Sequence, residues 1–542
     1  MKSHLPRPFT IVCRPSALAV IQAERAKNRI LQHFPDLEIR IITKESAGDR
    51  NTSTPLYTLP GRDFFTKDID EYLLSGEADF AVHSLKDLSL ERTEDNRFVS
   101  AVFERDDPRD AALFSPEALQ KLARNETITL GTSSLRRMEL VPPFLEKALP
   151  QSGTSQSGTS QDSTSQDSTS GSRTKPRVQC LPMRGNVDSR LRQVREGKFD
   201  GAVLAAAGIN RLLHSDAHGT RIHTLLEGFR FMLLPLVECP PAPGQGALII
   251  EALRENTDAV RFVEFLRSQH LEEALSNERE LLRTFGGGCH QRFGAVSLNA
   301  GGENILIANG KDEHGESVEM MRFSVPNVLR EKRMFAASDF MRDFFTTEYA
   351  EIPNNDSFHL SSDAVFVSHH RAAYREPVLH ELRRKRVWTA GTRTWFELAK
   401  RGVWVEGCSD GFGLKFLENV VPMPLVGLPL ASFHILTNTE SAHDWQAEGF
   451  AATGLYTLHE AVSAEIQTAL GNAEAYFWTS FGQYRACRAW VREGALHLCP
   501  SGRTAERFRA EGIEPVIFPS IRAFLLWQRE NFRKNNLKTD TH

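Results

Sequence analysis

In His83-Ser84-Leu85-Lys86-Asp87-Leu88 an aspartate stands beside a lysine, directly after the apolar run Ala78–Val82. If that run is a buried parallel strand, the carboxylate sits at its C-terminal end, where ligand sites of α/β folds open. Beside Lys86, Asp87 stays ionised and able to stabilise a developing cation or exchange a proton. Three further segments place arginine among small hydrogen-bonding residues. Arg14-Pro15-Ser16-Ala17 reads as a strand-to-helix turn, where backbone N–H groups and a guanidinium both donate to a carboxylate. Gly131-Thr132-Ser133-Ser134-Leu135-Arg136-Arg137 and Arg184-Gly185-Asn186-Val187-Asp188-Ser189-Arg190 repeat the grouping, and Arg211 adds another charge. Taken singly, the Arg14 segment reads first as an N-cap serine with a surface arginine, and the Lys86-Asp87 segment as a surface ion pair. Together they suit a ligand with many carboxylates, each able to take a bidentate guanidinium. Nucleic acid is the rival polyanion, but the interleaved aromatics of a single-strand platform are missing, so no nucleic-acid partner is expected.

The elements that must position these groups alternate in type. Phe9–Cys13 and Leu37–Thr43 read as strands around a helix beginning near Ser16, and Gly201–Ala206 repeats the buried-strand pattern of Ala78–Val82. Strand–helix alternation implies α/β domains with parallel or mixed sheets. From Leu271 to Arg283 apolar and charged residues fall at helical spacing, and Gly286-Gly287-Gly288 ends that helix just before Cys289. Residues 151–170 are Gln-Ser-Gly-Thr-Ser and Gln-Asp-Ser-Thr-Ser pentads with nothing apolar to bury, so disorder is expected there.

At 542 residues the chain is too long for one core. Its 41% apolar and 25% charged residues are ordinary for a soluble protein, and a net charge of −4 argues against a surface wholly adapted to nucleic acid. No apolar run is long enough for a membrane span, and Met1 to Pro8 lacks the apolar core of a signal peptide, so a cytoplasmic protein without membrane partners is expected. The seven cysteines form no Cys-x-x-Cys pair and show no metal spacing, so neither a disulfide framework nor a metal is expected.

These segments, with Pro241-Ala242-Pro243-Gly244-Gln245-Gly246-Ala247 and Gly287-Gly288-Cys289, resemble hydroxymethylbilane synthase (porphobilinogen deaminase) in the family's order over residues 10–295. The resemblance implies two periplasmic-binding-protein-like domains and a small α/β third domain. It assigns residues 1–105 with 225–245 to domain 1, 106–224 to domain 2 with an insertion at 151–173, and 246–325 to domain 3. It implies a transferase of tetrapyrrole (haem) biosynthesis that polymerises porphobilinogen to hydroxymethylbilane with release of ammonia, working as a monomer. By the same resemblance Cys289 carries a covalent dipyrromethane cofactor, and Asp87 is the catalytic aspartate. Arg14, Arg136, Arg137, Arg184, Arg190 and Arg211 match positions that bind acetate and propionate groups, with Ser16, Lys86, Thr132, Ser133 and Ser134 completing the pocket. Where the family has a Gly-Lys-Gly loop, this chain has Gly61-Arg62-Asp63-Phe64; Arg62 keeps the charge, but the missing glycine stiffens the loop.

The second half carries a duplication. Val365-Phe366-Val367-Ser368 is echoed by Tyr476-Phe477-Trp478-Thr479-Ser480, and Gly391-Thr392-Arg393-Thr394 by Ser501-Gly502-Arg503-Thr504, about 110 residues apart, with Gly402 and Gly512 following at the same interval. Residues 360–542 resemble uroporphyrinogen-III synthase, a lyase of two α/β domains with its site in the cleft. The resemblance places Ser368, Tyr456, Ser480 and Thr504 there and makes the chain bifunctional. Residues 325–360 contain no copy of the strand and helix with which that family opens. A non-catalytic scaffold is the alternative for this half, and a binding protein for an anionic small molecule is the alternative for the whole.

Overall fold

The computed structural model describes residues 7–46, 66–151, 175–285, 291–300, 302–340, 344–352 and 358–536. Strands β1 (Phe9–Cys13), β2 (Ile39–Thr43), β3 (Phe80–Ser84) and β4 (Phe98–Arg105) start a first sheet. Strands β5 (Asp110–Phe114), β6 (Ile128–Thr132), β7 (Val178–Pro182), β8 (Gly201–Ala205) and β9 (Arg230–Leu233) form a second. Then β10 (Ala247–Leu253) returns to the first sheet, antiparallel between β3 and β4. The orders β2-β1-β3-β10-β4 and β7-β6-β8-β5-β9 are one pattern, three parallel strands followed by an antiparallel fourth. This is the pair of periplasmic-binding-protein-like domains expected, with the chain crossing between them at 106–109 and 234–246.

The expected boundaries shift accordingly. β9 places residues 230–233 in the second sheet, residues 234–246 are the passage back to the first, and β10 keeps residues 247–253 out of the third domain. An apolar run such as Ala-Leu-Ile-Ile shows that it is a strand, not which distant strand it pairs with. β6 and β7 pair in parallel from Ile128–Val178 to Thr132–Pro182, with the helix Leu135–Ala148 between them. The pentad tract therefore interrupts a single α/β unit, as its flanks implied; residues 152–174 lie outside the described residues. In the third unit the helix Gln269–Thr284 packs on antiparallel β11 (Arg292–Ala300), β12 (Glu303–Lys311) and β13 (Ser317–Arg322).

The C-terminal half begins earlier than residue 360. Its strands are β14 (Met334–Ala336), β15 (Phe345–Tyr349), β16 (Ala364–Val367), β17 (Arg386–Thr389), β18 (Val405–Cys408), β19 (Phe433–Thr437), β20 (Ala451–Gly454), β21 (Tyr456–Glu460), β22 (Ala475–Phe477), β23 (Leu496–Pro500) and β24 (Val516–Phe518). β16–β20 make a parallel sheet of order β18-β17-β16-β19-β20, while β14 joins a parallel β14-β22-β23-β24 sheet and β15 pairs with β21 in a ribbon between the two. Residues 334–349 thus supply the first strand of the last sheet, a role hidden in the sequence because three-residue strands carry no periodicity. Among the described residues no helix is long and apolar enough to cross a membrane.

The two halves of the chain share cores. Edge strands β9 and β18 lie side by side. On one face a single apolar cluster runs from Phe114, Phe144 and Val203 to Val365, Trp395 and Trp404; on the other, Leu113 and Leu204 join Phe366 and Trp388. Trp404 donates its indole N–H to the Phe231 carbonyl at 3.2 Å and meets Phe114 edge-on at 5.3 Å. Trp395 does the same toward the Ala148 carbonyl at 3.0 Å and Phe144 at 5.4 Å. Each sheet covers an edge that would otherwise offer unpaired backbone to other chains. Trp404→Ala is therefore expected to cost about 3–5 kcal/mol and to lower the midpoint at which heating inactivates the N-terminal half as well. An unchanged midpoint, read by activity remaining after heating, would show that the halves unfold independently.

Candidate active site

β3 ends at Ser84 in a single 3-10 turn, Leu85–Asp87. Leu85 and Leu88 are buried anchors, so Lys86 and Asp87 between them turn outward and both are exposed. The carbonyls of this turn are occupied: Arg279, on the helix Gln269–Thr284, donates to those of Leu85 (3.4 Å), Leu88 (3.3 Å) and Ser89 (2.9 Å). The Pro-Gly-Gln-Gly turn passes beneath. Gly244 has φ +80°, and a Cβ there would stand 3.0 Å from Leu85 Cγ and 3.2 Å from Lys86 N, so the close approach and the left-handed backbone both favour glycine. Lys86 Nζ donates to Gln245 Oε1 at 3.3 Å. The Lys86 ammonium rests on buried Gln245, and desolvation there outweighs the raising effect of Asp87 to bring the pKa down to about 8.

The arginines divide into two groups. Arg136 and Arg137 turn inward onto Asp110, at 2.8 and 2.7 Å, and donate also to the carbonyls of Pro240 (2.9 Å) and Val203 (3.0 Å). Burial alone would raise the Asp110 pKa, but the two guanidiniums and Gln245, which donates at 2.8 Å, hold it well below the carboxylate range. Arg211 is fixed on Asp106 Oδ2 and the Gly246 carbonyl, each at 2.6 Å. Arg136, Arg137 and Arg211 are buried, 1%, 6% and 3% exposed, and each rests on a carboxylate of the frame. Sequence alone shows that an arginine is near a helix start, not which side of the helix faces a buried acid.

Arg14, Arg184 and Arg190 remain half-buried. Desolvation and then the charge of Arg14 lower the pKa of Arg184; desolvation, Arg137 and Arg184 bring Arg190 down to about 10. Arg14 stands on the first domain and the other two on the second, so positive groups face one another across the seam. Arg190 also donates to Ser133 Oγ at 3.0 Å. Ser16 and Ser134 serve as N-caps, accepting from Ala19 N at 3.2 Å and Arg137 N at 3.4 Å, and the buried Thr132 accepts from Ser134 N at 3.3 Å. These local roles are the ordinary alternatives for such residues. Cys289 and Arg62 lie outside the described residues.

Three contributors went unnoticed in the sequence, Asp106, Asp110 and Glu278, and Gln245 entered only as part of the Pro-Gly-Gln-Gly motif. Glu278 pairs with Arg105 at 2.7 Å and accepts from Gly244 N (2.8 Å) and Ser297 N (2.7 Å), tying the third unit's helix to the first sheet and to the turn under Lys86. The acidic run Asp106-Asp107-Pro108-Arg109-Asp110 was the available signal. Asp70, His83 and Glu251 cluster closely enough to ligate a metal, but Arg92 already lies there, 2.9 Å from Asp70 and 3.1 Å from Glu251. Burial, then Arg92 and Arg14, bring the His83 pKa down to about 3.

In the C-terminal half Ser368 Oγ donates to the Leu436 carbonyl at 3.0 Å, and Tyr456 is buried, its phenol pKa raised by burial against a hydrogen bond from Asn438. The His369 ring lies 6.4 Å from that of Tyr456; burial, then His370, Arg371 and Arg393, bring its pKa down to about 3. Ser480 caps the helix Phe481–Cys487, with Gln483 Oε1 accepting from its N–H at 3.2 Å, and Thr504 lies half-buried in the helix Arg503–Ala510. Those helices meet the helix Thr439–Ala447 through Arg485–Glu440 (2.9 Å), Arg507–Glu440 (3.0 Å) and Arg503–Glu448 (2.7 Å). Thr439 in turn donates to the Tyr456 carbonyl at 3.2 Å, so all four residues stand on elements that gather at one junction.

Comparison with known proteins covers the first half well. The family model described as "Porphobilinogen deaminase, dipyromethane cofactor binding domain" matches residues 9–261. The porphobilinogen deaminase of Burkholderia ambifaria is 30% identical over 319 residues, 59% of this chain and 84% of that protein. That of Chlorobium luteolum is 33% identical over 305 residues, 56% of this chain and 83% of its own length. Among solved structures, a mutant uroporphyrinogen III synthase from Thermus thermophilus aligns with 35% of this chain and 88% of its own at 16% identity and a TM-score of 0.24. With the geometry of its first two domains and most of the length of these relatives matched, the chain belongs to the porphobilinogen deaminase family, enzymes of tetrapyrrole synthesis that act on porphobilinogen and bind a dipyrromethane cofactor.

Proposed function

We propose that Asp87 is the catalytic carboxylate of this deaminase, that Cys289 attaches the dipyrromethane, and that Arg14, Lys86, Arg137, Arg184 and Arg190 engage the acetate and propionate groups of cofactor and substrate. The observation that carries this reading is the positive cluster at the seam: desolvation, and then neighbouring guanidiniums, lower the pKa values of Arg184 and Arg190, a repulsion that a bound carboxylate relieves. That charge pattern fits a cofactor bearing several carboxylates, and supports Arg14, Arg184 and Arg190 as the groups that hold it. When bound, the dipyrromethane supplies the free pyrrole carbon that is extended. Release of ammonia from porphobilinogen leaves a cationic pyrrole, and the carboxylate of Asp87 offsets that charge and takes up the proton lost as the pyrrole regains aromaticity. The Arg279 cradle holds Asp87 in place while it does so.

Asp87→Ala is expected to keep its circular dichroism spectrum while turnover falls about a hundredfold or more. Cys289→Ser is expected to show the bare polypeptide mass, whereas wild-type protein carries the added mass of a dipyrrole. An active serine variant would remove Cys289 from the assignment. Lys86 gives a pH signature: protonated below its pKa of about 8 and neutral above it, it grips carboxylates less well as pH rises. KM for porphobilinogen is expected to climb as pH passes about 8, and the climb to flatten in Lys86→Met. Parallel rises in both proteins would trace the effect to another group.

For residues 334–536 we propose the cyclisation of hydroxymethylbilane to uroporphyrinogen III. The support is the duplicated parallel-sheet architecture with Ser368, Tyr456, Ser480 and Thr504 gathered at the junction of its parts. Ring closure needs a preorganised cleft more than one strong acid or base. Supplied with porphobilinogen alone, the full chain is expected to yield mainly isomer III, and Tyr456→Phe to raise the share of isomer I without abolishing III. If the isomer mixture equals that of bilane closing unaided in buffer, the C-terminal half is a scaffold.

A further inference from the structure

One side chain of the C-terminal half touches both passages by which the chain crosses between the first and second sheets. Asp410 follows β18. Its Oδ2 accepts from Arg109 Nη2 at 3.2 Å, and its Oδ1 accepts from the backbone N–H of Val237 at 3.2 Å. Arg109 lies on the first passage and Val237 on the second. The contact is sealed: the side chains of Asp410 and Arg109 are 0% and 3% exposed. Asp410 also has φ +54°, a left-handed conformation that most side chains avoid and that aspartate and asparagine tolerate best. Burying a carboxylate at such a backbone is costly, and the apolar clusters on either side already hold the halves together. An interface needing only adhesion has no use for it.

The two passages are the stems on which the charged groups of the site stand. Arg109 precedes Asp110, which grips Arg136 and Arg137. Val237 leads to Pro240, whose carbonyl accepts from Arg136, and to Gln245, which donates to the Pro108 carbonyl at 2.7 Å and receives Lys86. We propose that Asp410 is a positioning residue of the deaminase site: by bridging Arg109 and Val237 it fixes the spacing of the two passages, and with it the placement of Arg137 on Asp110 and of Lys86 on Gln245. The C-terminal half then contributes to porphobilinogen binding independently of any action on the product. The inference rests on the reading of Arg137 and Lys86 as carboxylate-binding groups.

Asp410→Asn in the full chain tests it. The amide suits the left-handed backbone and keeps an oxygen for Val237, but turns an N–H toward Arg109, which retains its pairing with Asp107 and is not left stranded. KM for porphobilinogen is expected to rise about fivefold with kcat within about twofold, because the displaced groups grip carboxylates equally in ground and transition states. Amide exchange should quicken in peptides covering 106–110 and 234–246 and stay unchanged in those covering 364–367 and 433–437. A residue that only stabilises the fold would lower the thermal midpoint and the active fraction, hence apparent kcat, and leave KM alone. Arg109→Gln breaks the same contact from the other side. An unchanged KM in whichever variant folds overturns the proposal, as does failure of both to fold, which would make the bridge purely structural. A wild-type chain that does not consume porphobilinogen would overturn the deaminase reading instead.

Discussion

Guanidinium groups brought together out of water repel one another, and a seam that gathers them stays folded only if buried carboxylates stand behind them. Asp110 does this for Arg136 and Arg137, Asp106 for Arg211, and Glu278 for Arg105. Breaking such a pair by removing one partner leaves an uncompensated buried charge, which costs several times more than an exposed ion pair contributes. The acids therefore set where the arginines are. Arg136, Arg137 and Arg211 are fixed on carboxylates of the frame, while Arg184 and Arg190 stand half-buried at the seam, their pKa values lowered by desolvation and by neighbouring guanidiniums.

The same acids link the layers of the molecule. Asp106 and Asp110 flank the first passage between the sheets, so the groups that neutralise the site also anchor the chain where it changes domain. Glu278 and Arg279 are neighbours on one helix; the first reaches Arg105 and Gly244 N, the second cradles the carbonyls of the turn that presents Asp87. That helix precedes Cys289 in the chain, so the element before the proposed cofactor cysteine is bonded through two adjacent side chains of opposite charge to the turn that carries Asp87 and to the glycine turn beneath it.

Much of this was legible wherever the signal is local. Ser16, Ser134 and Asn186 cap helices where strand-to-helix junctions were expected, and Gly402 and Gly512 adopt matching positive φ values of 78° and 76° after duplicated helices. The pentad tract interrupts the unit its flanks pointed to. What failed was non-local. Whether β9 and β10 join the first or second sheet depends on partners more than 100 residues away, and β14 is three residues long with its partner β22 near residue 476. Arg136 and Arg137 both reach Asp110, a pairing that no local pattern shows because the carboxylate comes from a strand 26 residues before Arg136.

The docking of the C-terminal half follows the same logic of edges and passages. It takes the outer edge of the second sheet, β9, and fills both faces there with shared apolar clusters, while Arg522 and Arg529 pair with Glu238 and Glu319 beside the third unit. The first sheet receives none of these contacts among the described residues; it is joined to the rest through the two passages, the helix Gln269–Thr284 and the packing of the helix Ala17–Leu31 on Ala206–Leu213. Relative movement of the first sheet against a body made of everything else is therefore the freedom the architecture leaves, since local opening favours regions with the fewest buried contacts. Asp410 bonds to both passages at once, so a single buried carboxylate of the C-terminal half can act on that freedom without touching the site.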